Sequence, residues 1–186
     1  HNLRKTEQHH LSLRDSIIRQ NVGTLLADAQ LLATLHDSRS PFSIQAPALQ
    51  RTLVDSFTMY CRQYTHYRQF RGVTAAGREI SRVVCRPDGT PAVPSAERRD
   101  SADRALVQSL PALEGEAVSI SGIDVVSDAI AVGNKAMPVI RIATPLRRDT
   151  PGERLFVVID VDLRRLISDV LLDTGQGGTM ILVEKN

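Results

Sequence analysis

The feature that most constrains the fold is a β-hairpin predicted over residues 67–83. Two runs of β-type residues flank the short turn 75–77, where Gly77 supplies the positive φ that closes such a turn at little cost. The hairpin is also rich in charged side chains, which are Arg68, Arg71, Arg78, Arg82 and Glu79. It therefore both builds a sheet and carries polar chemistry.

The composition predicts a folded domain that does not bind nucleic acid. The 186 residues suffice for one ordinary domain with a small appendage, and 42% hydrophobic with 24% charged residues is an average globular balance. The net charge of +2 is too small to attract nucleic acid by its field. An aromatic content of 4% with no Trp offers no platform on which bases stack, so we predict no nucleic-acid partner.

Two helices are predicted before the hairpin. Apolar residues over 11–35 follow a four-three alternation, which is typical of a long amphipathic helix with a coiled-coil-like seam. This helix either extends a transmembrane segment or lies along its own domain, and both can hold together. Pro41 ends it, and Pro47 suits the first turn of a second helix that ends near Gln63. The predicted buried face of the second helix consists of Leu49, Leu53, Phe57, Tyr60 and Cys61.

Three further strands are predicted after the hairpin, over 117–122, 137–146 and 154–161. The last run is apolar almost throughout, so it is predicted to be a central strand buried on both faces. A short helix is predicted over 103–110, Asp162 caps a final helix, and residues 179–183 look like one more strand. The predicted fold class is α+β, with five strands in an antiparallel sheet and helices packed on it.

The two cysteines, Cys61 and Cys85, are too few for a disulfide scaffold and lack the spacing of a metal site. Cys61 lies near the end of the second predicted helix, and Cys85 lies opposite Tyr67 if the hairpin closes at 75–77. They are either bridged or buried as two small hydrophobic side chains.

Several ordered motifs carry a family resemblance. The hairpin holds a Tyr, Gln, Arg, Gly, Glu, Arg pattern, formed by Tyr67, Gln69, Arg71, Gly77, Glu79 and Arg82. An Asp-Arg pair at 103–104, a Val-Ser-Ile-Ser strand at 118–121 and the run Pro-Val-Ile-Arg-Ile-Ala-Thr-Pro at 138–145 follow it. Over residues 11–172 the chain resembles the periplasmic double-Cache or PAS-like sensor family of bacterial transmembrane histidine kinases, diguanylate cyclases and chemoreceptors.

The resemblance implies an extracytoplasmic, PAS-like (Cache) domain of a membrane-anchored receptor, with a five-stranded antiparallel sheet and a long N-terminal helix through which two copies pair. Residues 1–46 would be the helix and its connector, 47–174 the membrane-distal sensor domain, and 175–186 a linker that leads into a second, membrane-proximal module. Such a domain either binds a small ligand in a sheet cavity, from the amino acid, organic acid or amine classes, or docks a periplasmic protein. Docking is favoured where family aromatics are replaced, at Ala105, Leu106 and Ser119.

Candidate ligand-binding residues lie on the later strands. Arg141 sits in an apolar strand, and a buried arginine needs a partner. That partner is either Asp160, which is isolated in the final apolar strand, or the carboxylate of a ligand. Ser119 and Ser121 are predicted to line the same cavity as hydroxyl donors. These four side chains are either a ligand site or polar groups satisfied within the fold.

Arg71 on the hairpin is the fifth candidate. The turn at 75–77 would place Arg71 opposite Ser81 and diagonal to Glu79 on one sheet face. Arg71 and Glu79 then either tie the sheet to a helix or contribute to a ligand site. Arg82 is predicted to lie exposed on the other face.

No catalytic role is predicted for the chain. No Ser, His and acid arrangement is visible, and the five histidines lack the spacing of a metal site. Residues 175–178 lack the signature of a phosphate loop. We therefore predict no metal, no cofactor and no enzyme activity in this chain; such activity would belong to the parent histidine kinase or diguanylate cyclase.

Overall fold

The computed structural model describes residues 2–35, 47–94, 108, 110, 113, 117–127, 136–146 and 154–172. In chain order the elements are α1 (Asn2–Leu35), α2 (Pro47–Gln63), β1 (Tyr67–Thr74), β2 (Glu79–Cys85), β3 (Pro91–Ala92), β4 (Ser119–Ile120), β5 (Asp124–Ser127), β6 (Ala136–Leu146), β7 (Leu155–Asp162) and α3 (Leu163–Leu172). The described strands form one antiparallel sheet in the order β3-β2-β1-β7-β6-β4, and β5 also pairs with β6. The predicted α+β class is confirmed.

The long N-terminal helix is confirmed, and it extends from the amphipathic run at 11–35 back to Asn2. Among the α1 side chains that the structure describes, Leu25, Ala29 and Leu32 are buried where the helix contacts β6, β7 and α3. Leu31, an apolar residue of the same predicted helix, is 49% exposed. No helix among the described residues is both long and apolar enough to cross a membrane.

The second helix has the predicted bounds and the predicted buried face. Pro47 is its first residue, and its buried side chains are Leu49, Leu53, Phe57, Tyr60 and Cys61. A disulfide joins Cys61 to Cys85, with the two Cα atoms 5.0 Å apart. The end of α2 is thus covalently tied to the end of β2, and the bridged alternative for the cysteines is the correct one.

The hairpin is confirmed, but its predicted register holds over only part of its length. Gly77 has a φ of 82° in the turn, and Val73 lies opposite Glu79 as the turn requires. The register then shifts by one residue, so that Arg71 faces Arg82 rather than Ser81. The shift accompanies a close approach at Gly72, where a Cβ atom would lie 2.5 Å from the Ser81 Oγ atom.

Within the described part of the chain the sheet has seven strands, where five were predicted. The additional strands are the two-residue β3, which pairs with β2, and the four-residue β5, which pairs with β6. The 11 residues of β6 are long enough for β4 and β5 to pair with different parts of it. The strand predicted at 117–122 is shortened to β4, and β5 was not predicted. Most of the predicted helix at 103–110 and the predicted strand at 179–183 lie outside the described residues.

The two faces of the sheet differ in character. On the helix face, residues of the strands such as Phe70, Ile142 and Ile159 join the core formed with α1 and α2. The opposite face, called here the site face, carries a smaller apolar cluster and a group of charged residues. The cluster comprises Val73, Leu110, Ala143, Phe156 and Val158. Between the faces, β7 is buried throughout, which confirms the prediction of a central strand.

The start of α3 matches its predicted cap. Asp162 Oδ1 accepts hydrogen bonds from the backbone amides of Arg164, at 3.0 Å, and Arg165, at 3.4 Å. These are the donors that a helix leaves unsatisfied at its N-terminus. Because Asp162 is also the last residue of β7, α3 follows the central strand without a loop.

Candidate functional site

Three polar residues lie side by side on the site face, one on each of three neighbouring strands. Asp160 on β7 is opposite Gln69 on β1 and opposite Arg141 on β6. Directly opposed residues of antiparallel strands project from the same face of the sheet. Along β6, Arg141 lies on a different face from Ile140 and Ile142, and this alternation brings Arg141 to the row.

Asp160 is the centre of the row and is 1% exposed. Its Oδ1 atom lies 3.0 Å from Arg71 Nη2 and 3.5 Å from Arg141 Nε. Its Oδ2 atom accepts a short hydrogen bond from Gln69 Nε2. A carboxylate buried to this extent is costly unless charges and donors of this kind surround it. Asp160 is therefore the predicted partner of Arg141, and three of the five candidate residues meet at one carboxylate.

Arg141 extends from this buried centre to the edge of the sheet. Its Nη1 atom lies 2.7 Å from the Oδ2 atom of Asp124, the first residue of β5. The Arg141 side chain is 11% exposed and that of Asp124 is 47% exposed. One guanidinium thus contacts a fully buried carboxylate on one side and a half-exposed carboxylate on the other.

The two serine candidates hold different positions. Ser121 and Arg141 are joined through their main chains, since the Ser121 amide donates to the Arg141 carbonyl at 2.8 Å. The Arg141 amide donates to Ser121 Oγ at 2.9 Å, and the Ser121 hydroxyl donates to the Gly122 carbonyl at 2.7 Å. Ser121 therefore fixes the backbone at Arg141. Ser119 lies opposite Ala143, one row away from the Asp160 row.

Arg71 and Glu79, which were predicted to lie diagonally on one sheet face, have different ion-pair partners. Arg71 is bound to Asp160, and Glu79 Oε2 lies 2.7 Å from Arg82 Nη2. The register shift at Gly72 explains the change, because it puts Arg82 opposite Arg71 on the site face instead of on the helix face. The prediction that Arg82 is exposed is wrong as well, since its side chain is 14% exposed.

Two residues of the site were missed in the sequence. Gln69 was noted only as part of a family pattern, although its place two residues before Arg71 on a strand puts both on one face. Asp124 carried no signal, because the four-residue strand it begins was not predicted.

The charged groups suit the recognition of a polar molecule. Arg71, Arg82 and Arg141 are balanced by Asp160, Glu79 and Asp124 in contacts between 2.7 and 3.5 Å. Within the described chain, the buried atoms Arg71 Nε and Glu79 Oε1 have no hydrogen-bond partner. A donor and an acceptor thus remain for a small molecule or a water. No group of three or more His, Cys, Asp or Glu side chains suited to a metal ion occurs among the residues that the structure describes.

Comparison with protein families decides the kind of domain. The family model for the sensor domain of bacterial histidine kinases matches residues 11–179. The chain belongs to this sensor-domain family. The resemblance inferred from the hairpin and strand motifs is therefore confirmed at the level of a bacterial signalling sensor.

Solved structures share the fold of the sensor domain. The extracellular domain of vpHK1S-Z8, assigned as a histidine kinase, matches with a TM-score of 0.73 and 22% identity over 91% of this chain and 60% of that one. A domain of a protein assigned to the sensory box/GGDEF family of Vibrio parahaemolyticus matches with a TM-score of 0.72 and 21% identity, over 89% of this chain and 62% of that one. Methyl-accepting chemotaxis protein X matches with a TM-score of 0.57 and 14% identity, over 89% of this chain and 63% of that one. The chain thus spans about 60% of the length of these structures. A search of curated proteins gives no match.

An aromatic cluster joins the sheet of the sensor domain to α1. The Tyr67 hydroxyl, on β1, donates a short hydrogen bond to Asp28 Oδ2 on α1. Tyr67 is in ring contact with four aromatic neighbours, which are Tyr60, Tyr64, His66 and Phe70. Burial, followed by the bond to Asp28, raises the pKa of Tyr67 far above its ordinary value of 10.0. The hydroxyl therefore stays protonated and holds α1 to the first strand.

Proposed function

We propose that the chain is the extracytoplasmic signal-sensing domain of a membrane-bound bacterial receptor, a histidine kinase or a diguanylate cyclase. In this proposal a small ligand binds on the site face, and the terminal helices α1 and α3 transmit its binding. The observation that carries the proposal is the row of Gln69, Asp160 and Arg141, in which charged groups are buried on the sheet face away from the helices. Arg71, Ser119 and Ser121 are the other proposed site residues. Binding sites commonly combine such convergent polar groups with an apolar lining, which the adjoining cluster around Phe156 supplies.

Two observations support an extracytoplasmic location. One of the structures that share the fold is the extracellular domain of a protein assigned as a histidine kinase. The disulfide between Cys61 and Cys85 also suits an oxidising compartment, because disulfides are rare in the bacterial cytoplasm. We further propose that residues 47–174 form the membrane-distal module and that 175–186 lead into a membrane-proximal one.

Transmission would run through contacts that link the site face to α1. Asp160 lies three residues before the start of α3, which contacts α1, and Tyr67 binds Asp28 of α1 directly. A ligand moves these helices only if it binds their two arrangements with different affinity.

We also propose that α1 pairs with its copy in a homodimer. Leu13, Leu31 and Leu35 are each about half exposed on α1. Leu13 and Leu31 are 18 residues apart, which is five helical turns, and Leu35 follows one turn later, so the three share one side of the helix. Such a stripe suits pairing with a second helix.

The ligand proposal is tested by thermal-shift screening of the chain against amino acids, organic acids and amines. A hit is then added to the full-length receptor, and the spacing of the α1 helices is measured by cysteine crosslinking. A ligand that stabilises the domain and changes the crosslinking pattern supports sensing with transmission. A ligand that binds without changing the spacing contradicts the transmission step.

The alternative is a module that docks a periplasmic protein without a small ligand. A specific observation favours it: Ile120, Ile123 and Val125 at the β4–β5 edge of the sheet are 43%, 38% and 67% exposed. Exposed apolar residues that lie together are typical of interaction sites. Loss of receptor signalling on V125D, in a domain that binds none of the screened molecules, would favour docking.

A further inference from the structure

We propose that the ligand of this domain is a small carboxylate, which binds Arg141 in place of the side chain of Asp124. In the structure, Asp124 holds the position beside Arg141 that the ligand carboxylate would take. The inference rests on the proposed ligand-binding function and names its ligand class. It follows from the unequal surroundings of the two acids that contact Arg141.

The inner acid, Asp160, does not depend on Arg141 alone. It is 1% exposed and also receives Arg71 Nη2 at 3.0 Å and the short hydrogen bond of Gln69. Its distance to Arg141 Nε is 3.5 Å, the longest of its contacts. Asp160 therefore remains compensated when Arg141 moves, and it serves as the fixed part of the site.

The outer acid, Asp124, makes the shorter contact and is the one that can leave. Its Oδ2 atom is 2.7 Å from Arg141 Nη1, yet its side chain is 47% exposed, so that water solvates the carboxylate once the pair opens. An ion pair with one partner so exposed contributes little to stability. Breaking it costs the fold less than breaking the contacts of Asp160.

The backbone at Asp124 is held from one side only within the described chain. Asp124 begins the four-residue β5, which pairs with β6. The residues on either side of it, Ile123 and Val125, are 38% and 67% exposed. Among the described strands, β6 alone therefore opposes a displacement of this strand end.

The chemistry of Arg141 fixes the class of the incoming group. A guanidinium that is 11% exposed needs an anion beside it, and a planar carboxylate matches its fork of donors. An external carboxylate keeps Arg141 paired while it releases Asp124 and the start of β5. Occupancy of the site is thereby coupled to the position of an edge strand.

The test replaces Asp124 and offers acetate as the probe. In D124A, acetate takes the vacated place on Arg141 and shifts the Arg141 Nε–Hε signal in a ¹⁵N NMR titration. If Asp124 occupies Arg141 nine-tenths of the time, its removal tightens the apparent dissociation constant for acetate about tenfold relative to the wild type. D124N, which keeps the side-chain shape, shows the same direction of change.

A matched control exists on α1. Asp15 and Arg19 form an exposed pair at 2.8 Å, and D15A frees that arginine on an open surface. We expect no comparable acetate binding by D15A. In the double variant D124A/R141K, the tighter acetate binding of D124A should be lost. Acetate binding by folded D124A that is no tighter than in the wild type overturns the inference.

The proposed ligand-sensing function is tested separately, by the ligand screen with the wild-type domain. A wild-type ligand without a carboxylate overturns the inference and leaves ligand sensing in place. A screen with no hit counts against ligand sensing, whereas acetate binding by D124A at Arg141 still supports the exchange site.

Discussion

Arg71 on β1 and Asp160 on β7 form a buried ion pair in which the Nη2 and Oδ1 atoms are 3.0 Å apart. Their side chains are 4% and 1% exposed, so the pair joins two interior strands with almost no contact with bulk water. Replacing a pair of this kind with well-packed apolar side chains is often neutral, but removing one partner is costly. The pair thus makes the site face intolerant of single changes.

We expect D160N to destabilise the domain by about 3–5 kcal/mol, because Arg71 would be left buried without its carboxylate. Urea unfolding followed by circular dichroism measures the change. D55N, which alters an exposed aspartate on α2, serves as control and should change stability by less than about 0.5 kcal/mol. A loss of less than about 1 kcal/mol in D160N would show that the pair is not needed by the fold.

The neighbouring residues Leu31 and Leu32 of α1 test which side of this helix packs on the domain. Leu32 is 0% exposed and Leu31 is 49% exposed. We expect L32A to cost about 2–5 kcal/mol because it leaves a cavity, and L31A to change the free energy of unfolding by less than about 0.5 kcal/mol in the monomer. Equal losses in the two variants would contradict the packing of α1 described above.

The disulfide closes a loop between residues 24 apart in sequence. In the chain-entropy model, a loop of this length contributes about 3.5 kcal/mol by restricting the unfolded chain. We expect urea unfolding with a reductant, or of the C61A/C85A variant, to show a loss of this order. Two alkylatable thiols in the protein purified under oxidising conditions would instead show that the bridge does not form.

Alkaline pH should destabilise the domain through its buried tyrosines. Burial, with a smaller effect of Asp28, raises the pKa of Tyr60 to about 12, and the pKa of Tyr67 is raised further by burial and its bond to Asp28. Tyrosines of the unfolded chain ionise near pH 10, so the stability is fully present below that pH and is lost as the pH rises through the folded pKa values. Each tyrosine that ionises only on unfolding contributes a slope of about 1.4 kcal/mol per pH unit. Urea unfolding between pH 9 and 12 measures this slope, which the Y60F/Y67F variant should lose; an unchanged slope would contradict the assignment.

Local patterns in the sequence predicted the elements that long periodic runs define. Pro47 and the apolar spacing of α2 correctly predicted both ends of this helix and its whole buried face. Asp162 correctly predicted the start of α3. The continuous apolar run of β7 predicted its central place, because such a strand must be covered on both faces. The pairing of Arg141 with Asp160 was predicted for a related reason, since an isolated charge in each of two apolar strands needs a partner.

Features that depend on the contact of two distant segments could not be predicted from the sequence. The register shift in the hairpin arises where Gly72 and Ser81 approach each other. Because of this shift, Glu79 forms its ion pair with Arg82 and not with Arg71. The short β5 has too few residues to show a period, so the place of Asp124 beside Arg141 was missed. Both errors concern partners of arginines, whose long side chains reach several acids in any one register.

The most direct test of the account is a calorimetric titration of the screened ligand into three proteins, the wild type, R141K and R86K. Lysine keeps the charge of Arg141 but loses its fork of donors, and Arg86 is an exposed arginine that serves as control. If the row around Asp160 and Arg141 senses a ligand, R141K binds it at least about tenfold more weakly, while R86K binds like the wild type. Equal affinity of R141K and the wild type, with R141K folded, would contradict ligand sensing at this site.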